Sequence, residues 1–340
     1  MVHFQPTIPD YDGKFVNQRD NYMSIAPGRF FQSFIYDQII REHFKMAYLN
    51  FEDNTQFASI YVGMNSSRND IPEQTMIREG VKKYCLKVYQ MDLQLPTKND
   101  YDVIAYREIS KYVLIKHENI CKFYGAITLS TKFYSQGCYC IKLEYLETSL
   151  DSLQELYPYR SKENTMRMIT HIGRAINYLH ELGFAHHDID LKSIRIKSIN
   201  GPSLEHALLN TVVYKLCNFG LTELYDVDPN VEPAVETKVI RTSDPYFTAP
   251  EKKVTPLVPY DPFKSDMYSF GVVAMAMLLG KSQVETDLAR QNLPFAKLLN
   301  YYWQKELVNA EVATFFYRTV NSDPNERLER KEMMDIIKKF

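Results

Sequence analysis

Apolar residues recur along this chain at two periods, and the periods mark out its elements. Residues 1–28 are polar and broken by Pro6, Pro9, Gly13, Pro27 and Gly28, as in a loop. From Arg29 to Leu49 the pattern changes. Phe31, Phe34, Ile35, Ile39, Ile40, Phe44, Ala47 and Tyr48 fall three and four apart, which predicts an amphipathic helix. Such a helix either packs on the domain that follows or docks a partner. Phe57 to Gly63, Val81 to Tyr89 and Tyr139 to Tyr145 have the alternation of strands. Asn164 to His180 returns to helical spacing, with Met168, Ile169, Ile172, Ile176 and Leu179 on one stripe and Gly183 as the stop. Lys197 to Thr211 holds the turn signal Asn200-Gly201-Pro202 and reads as a polar surface insertion between two short strands. Lys331 to Phe340 predicts a short closing helix.

Composition narrows the class. With 340 residues, 45% hydrophobic and 24% charged, the chain has the balance of a soluble globular protein with a sizeable core. A formal net charge of -2 and the lack of a basic block argue against nucleic-acid binding by bulk electrostatics. Five cysteines without a Cys-x-x-Cys pair fit reduced thiols, hence an intracellular and most simply cytoplasmic setting. Cys138 and Cys140 share a strand face but fall two ligands short of a structural zinc site. The N-terminus lacks an apolar signal core. The longest apolar run, Val272 to Leu279, is too short to span a bilayer, so no transmembrane segment is expected.

The chemistry concentrates between Leu182 and Asn218. His186-His187-Asp188-Ile189-Asp190-Leu191-Lys192-Ser193, followed by Leu216-Cys217-Asn218-Phe219-Gly220, resembles the catalytic loop and Asp-Phe-Gly motif of eukaryotic protein kinases. Other motifs follow in family order. Lys87 lies in Tyr84-Cys85-Leu86-Lys87-Val88, like the lysine strand, and Glu108 stands where the family has its helix glutamate. His117-Glu118-Asn119-Ile120 resembles His-Pro-Asn-Ile. Leu143-Glu144-Tyr145-Leu146 resembles the hinge, with Leu143 either a gatekeeper or simply a core leucine. Ala249-Pro250-Glu251, Asp266 and Arg327 match the end of the activation segment, the buried-helix aspartate and the arginine that pairs with Glu251. Any one of these is weak; their joint order carries the resemblance.

The resemblance implies an α+β, bilobal protein-kinase-like fold over residues 56–340, with a small β-rich lobe at about 56–145 and a larger helical lobe at about 146–340. Residues 1–55 would form an extension carrying the helix. A glycine-rich loop is expected after the strand ending at Gly63, but the second and third glycines of its motif are absent.

Departures from the family pattern bear on function. The family's arginine is His187, its catalytic-loop lysine is Asp190, its asparagine is Ser193, and the aspartate of Asp-Phe-Gly is Asn218. Magnesium favours charged, hard oxygen, so Ser193 and Asn218 are poor substitutes for its ligands. Replacing lysine by Asp190 turns attraction for a phosphate into repulsion. Asp188 keeps the base position, as a vestige. His187, if neutral, is a poor phosphate partner, so no switching by activation-segment phosphorylation is expected; it can equally be a plain loop histidine.

Lys87, Glu108, Leu143, Glu144, Ser193 and Asn218 are therefore nucleotide or metal positions, degenerate at the last two. ATP is the implied ligand, held weakly and without a settled metal. Asp190 stands as a substitute metal ligand in the alternative, with manganese the first ion to try. The implied function is a pseudokinase that binds protein partners as an allosteric or scaffold module in signalling. A weakly active or atypical Ser/Thr or Tyr kinase, or a nucleotide sensor, is the alternative.

Overall fold

Lys45 sets where the helical entry ends. Residues 40–44 are helical, Lys45 takes a left-handed φ of 52°, and strand β1 begins at once (Met46–Asn54). The helix expected over residues 29–49 therefore stops at Phe44; residues 29–39 of that expectation lie outside the described part. Phe44, Ala47 and Tyr48 satisfy a helical spacing, but Tyr48 and Phe51 are equally good strand residues, and pairing with a neighbouring strand decides between the two periods. The computed structural model describes residues 40–54, 58–65, 82–89, 98–131, 134–153, 162–198, 212–225, 236, 244–254, 258–281, 297 and 310–339.

The architecture is α+β, in two units. The first comprises Met1–Leu114 and Lys122–Tyr145; the second comprises Ile115–Cys121 and Leu146–Phe340. In the first, β1, β2 (Ala58–Asn65), β3 (Lys83–Tyr89), β4 (Phe123–Thr131) and β5 (Tyr134–Glu144) form an antiparallel sheet in the order β1-β2-β3-β5-β4. Helix α1 (Lys98–Leu114) accompanies β4 and β5, and Tyr112 stacks on Phe123 with centroids 5.9 Å apart.

Gly63 is not the start of a glycine-rich loop. It lies inside β2, paired with Leu49 on one side and Tyr84 on the other. A Cβ on it would come within 2.9 Å of the Met46 sulfur, so the glycine relieves crowding in the sheet. Residues 55–57, between β1 and β2 in the chain, lie outside the described part. Residues 66–70, where the loop was expected, lie outside the described part.

The second unit is built on α3 (Lys162–Glu181), with Met168, Ile169, Ile172, Ile176 and Leu179 all fully buried, and on α4 (Pro262–Leu279). α3 ends as its sequence requires, Gly183 taking φ 81°. Helix α4 is buried almost all round, which fits its continuous apolar run. Its start is fixed by Pro262 and by Asp261, whose side chain accepts from the amides of Phe263 and Lys264. Gly271 lets α5 (Ala310–Thr319) approach closely, since a Cβ there would meet Thr319 Oγ1 at 2.4 Å. α6 (Arg330–Ile337) opens with a capping box between Glu329 and Glu332.

Short elements complete the unit. β6 (Thr148–Ser149) leads into the one-turn helix α2 (Leu150–Leu153). β8 (Ile194–Ser198) lies between β6 and β9 (Val212–Leu216), and β7 (Phe184–Ala185) pairs with β10 (Glu223–Leu224). Most of the expected insertion between β8 and β9, residues 199–211, lies outside the described part. Among the described residues no helix is long and apolar enough to cross a membrane.

Candidate functional site

In the first unit, β3 brings a lysine inside. The strand's alternation buries Leu86 and Val88 on one face and turns Lys87 to the other, where α1 supplies Glu108. Lys87 Nζ lies 2.9 and 3.1 Å from the two carboxylate oxygens of Glu108, and both residues are buried. A lysine at this depth requires such a partner. On β5, Leu143 is a buried strand residue facing Cys85 and Phe123. Glu144 is pinned in place: its amide donates to the Lys122 carbonyl at 2.8 Å, and its Oε2 accepts from the Lys122 amide at 3.2 Å.

In the second unit the segment after β7 hangs from one carboxylate. Asp266 Oδ2 accepts from the His186 amide at 2.6 Å and meets His180 Nε2 at 3.1 Å; Oδ1 accepts from the His187 amide at 2.8 Å. Burial pushes the Asp266 carboxyl up, but the hydrogen bond and charge of His180 outweigh it and hold it at about 2. His186 ties the loop to the next strand. Its Nε2 donates to the Cys217 carbonyl at 2.9 Å, its Nδ1 accepts from the Asp188 amide at 3.2 Å, and its ring meets Phe219 edge-on at 5.2 Å.

Asp190 and Ser193 close on each other. Asp190 Oδ1 accepts from the amides of Lys192 and Ser193 at 3.0 and 2.6 Å. The Ser193 hydroxyl accepts from the Asp190 amide at 2.9 Å and donates to the Asp190 carbonyl at 3.0 Å. Both residues are buried. The Ser193 hydroxyl is thus fully engaged inside its own turn, and one carboxylate oxygen of Asp190 is committed to backbone. Burial first, then the charge of Asp188, pushes the Asp190 carboxyl up to about 7. Near neutral pH about half of it carries a proton, so the repulsion expected of a full charge at this position is reduced.

Asn218 follows, with the Cys217 amide donating to the Ser193 carbonyl at 2.8 Å. Its backbone is left-handed, φ 68°, a conformation that asparagine tolerates better than most residues. The unit thus brings Asp188, Asp190, Ser193 and Asn218 into one loop region, while Lys87, Glu108, Leu143 and Glu144 belong to the first unit. As a magnesium site the residues of the second unit fit poorly: Ser193 brings a neutral, fully buried hydroxyl already bonded within its own turn, and Asn218 brings a neutral carbonyl. Among the described residues no group of three or more His, Cys, Asp or Glu gathers as metal ligands.

Three participants escaped the motif reading. His187 Nε2 lies 2.8 Å from the Tyr225 hydroxyl, which donates to Glu236 Oε2 at 2.5 Å, and Lys252 Nζ donates to the His187 carbonyl at 3.1 Å. No sequence spacing joins positions 187, 225, 236 and 252, so only the fold reveals them. The Asp190–Ser193 turn, by contrast, had a signal: Asp-x-x-Ser is a local side-chain-to-backbone pattern.

The struts expected from the ordered motifs are present. Arg327 holds Glu251 through two bonds of 2.6 and 2.7 Å and donates to the carbonyls of Asn321 at 2.7 Å and Lys264 at 2.9 Å. Its guanidinium sits over the Tyr268 ring, 5.0 Å from the centroid.

The sequence is similar to those of known protein kinases. The chain is 23% identical to the serine/threonine-protein kinase GIN4 of Saccharomyces cerevisiae over 67% of its own length and 18% of that protein's. It is 28% identical to the probable serine/threonine-protein kinase KCC4 of the same yeast, over 54% of this chain and 15% of that one. It is 25% identical to rat myosin light chain kinase 2 of skeletal and cardiac muscle, over 73% and 37%. The chain therefore spans well under two thirds of the length of these relatives. The protein kinase domain model matches residues 74–337, most of the chain, and with the ordered motifs and their geometry it establishes that the chain belongs to the protein kinase family.

Proposed function

We propose that this protein is a pseudokinase: a kinase domain that serves as a binding and allosteric signalling module, with weak or no phosphotransfer. One observation carries the reading. Asp190 and Ser193, at two positions where the family acts on phosphate and metal, are hydrogen-bonded to each other's backbone. Asn218 adds a neutral group where a charged one is needed. Phosphoryl transfer depends on charge neutralisation and positioning, which are the functions these substitutions remove. Asp188 alone, as a base, supplies little of the barrier reduction. Protein kinase domains in general bind ATP with a metal. In this chain Lys87, Glu108, Leu143 and Glu144 are the residues for the nucleotide, held weakly and without a dedicated metal. The partners are proteins rather than nucleic acid, and the setting is cytoplasmic.

The test is a radiolabelled phosphate-transfer assay on the full chain, comparing wild type with Asp188→Ala, in magnesium and in manganese. Equal signals support the proposal; robust turnover that Asp188→Ala abolishes overturns it. A weakly active kinase is the second reading, favoured by the intact Lys87–Glu108 pair and by relatives named as serine/threonine kinases. A thermal shift on ATP, with and without each metal, reads nucleotide binding separately from turnover.

A further inference from the structure

Hydrogen-bond directions around His187 are fixed by proton count. The Tyr225 hydroxyl has one proton, and it goes to Glu236 Oε2 at 2.5 Å. Its oxygen must then accept at 2.8 Å from His187 Nε2, which is protonated. The other ring nitrogen, Nδ1, is buried and has no hydrogen-bond partner among the described residues, so a proton there would have no acceptor, which favours the neutral Nε2–H ring. Burial pushes the His187 pKa down to about 4, in agreement.

The backbone of His187 is also held. Its φ of 68° is left-handed, a conformation that costs a non-glycine residue about 1 kcal/mol or more and persists only when surroundings impose it. Those surroundings are the Asp266 carboxylate on its amide and Lys252 on its carbonyl. Glu236 is no loose surface acid. It is 5% exposed, its amide donates to the Tyr260 carbonyl at 2.9 Å, and its carbonyl accepts from the Tyr260 amide at 3.2 Å. The Tyr225 amide in turn donates to the Gly183 carbonyl at 2.8 Å. One residue therefore ties together, by its carboxylate, the segment after β7 and the end of β10 and, by its backbone, the stretch before α4.

We propose that Glu236 is a permanent acidic anchor that, through the Tyr225 hydroxyl and its own backbone, holds His187 and the stretch around Tyr260 in one arrangement without phosphorylation of this chain. A neutral histidine has no charge to attract a phosphate, and the acidic group joined to it through Tyr225 is already encoded at Glu236. Tyr225 and Glu236 are positioning residues; they touch no substrate. The inference stands whether or not the chain transfers phosphate, because it concerns conformation alone.

Hydrogen–deuterium exchange on the full chain, before and after phosphatase treatment, tests it. In wild type the amides of Glu236 and Tyr260 are protected equally in both samples. Tyr225→Phe removes the bridging hydroxyl and speeds exchange at those amides tenfold or more, with α4 unchanged. Glu236→Gln keeps an acceptor but loses the charge and falls between. In parallel, ¹⁵N shifts of the His187 ring in wild type report the Nε2–H tautomer from pH 7 down to pH 5. Wild-type exchange in Tyr225→Phe, or protection lost on phosphatase treatment, overturns the proposal. If Tyr225→Phe fails to fold by circular dichroism, Glu236→Gln supplies the reading, and unchanged exchange there overturns it equally.

Discussion

The pocket around Arg327 and the turn around Asp190 are both buried and both densely hydrogen-bonded, yet they stand in opposite relation to the family's chemistry. At Arg327 the partner expected from the motifs, Glu251, is in place, and the fold adds backbone carbonyls from two other stretches and an aromatic face above. At Asp190 the expected side chains are gone, and the substitutes face each other. The first region needs charge to hold distant segments together, so its residues cannot change singly. The second needs charge only for an external ligand. There a short Asp-x-x-Ser turn is bonded through its own backbone, whereas Arg327 is bonded to distant segments of the unit.

The largest break in that contrast is expected at Arg327. Arg327→Ala leaves Glu251 without its bidentate partner and strands buried carbonyls, at a cost of about 4 kcal/mol, read as a lowered midpoint in urea unfolding. A loss below about 1 kcal/mol would mean that the pocket is no strut. Lys87→Ala in the first unit comes next, at about 3 kcal/mol, because Glu108 remains buried without its lysine. The double variant Lys87→Ala/Glu108→Ala should recover part of this loss, since no lone buried charge remains.

The struts were read from the sequence through the family pattern, whereas the turn's only signal, Asp-x-x-Ser, is local and lies outside that pattern. Asp266, Glu251 and Arg327 were found because the family's order places each one, and the structure joins them as that order implied. Asn218 and Ser193 were read from the sequence as departures from the family's ligands, and the bonds Ser193 makes depend on local geometry that a family pattern does not encode. The glycine-rich loop was misplaced because Gly63 was taken as a loop residue, whereas it relieves a steric contact with Met46 inside β2. The helix after Arg29 was drawn too long because a 3.6-residue period and a strand period coincide over Phe44 to Tyr48. Tyr225 and Glu236 carry no motif, and their roles come only from tertiary contact.

Asp190 also sets a pH dependence. Its carboxyl titrates at about 7 in the folded chain against 3.8 in the open one. Between those values the folded state holds a proton that the unfolded state has released. Stability from this group is therefore lost as pH rises through the folded value. His171 and His187 act the other way: burial lowers both to about 4, so their contribution grows as pH rises toward 6.5. The difference between wild type and Asp190→Asn isolates the aspartate, because asparagine keeps the Oδ1 acceptor. Between pH 5 and pH 8 the variant should gain about 2 kcal/mol relative to wild type. Parallel pH profiles would place a full charge at Asp190 and restore the case for strong repulsion.

The smallest effect separates the two regions most sharply. Ser193→Ala removes the acceptor for the Asp190 amide and the donor to its carbonyl, both buried, and should cost about 1 kcal/mol. If Ser193 is only part of a turn, the variant melts lower in the absence of ligand, and any added stabilisation by ATP with magnesium or manganese is the same as in wild type. If Ser193 is a cation ligand, the metal-dependent increment itself shrinks, because binding free energy adds to stability only as far as the site binds. A shrunken increment would place the loop with Arg327, among the parts kept for a partner they must hold, and the substitution of asparagine by serine would then be a change of ligand rather than its loss.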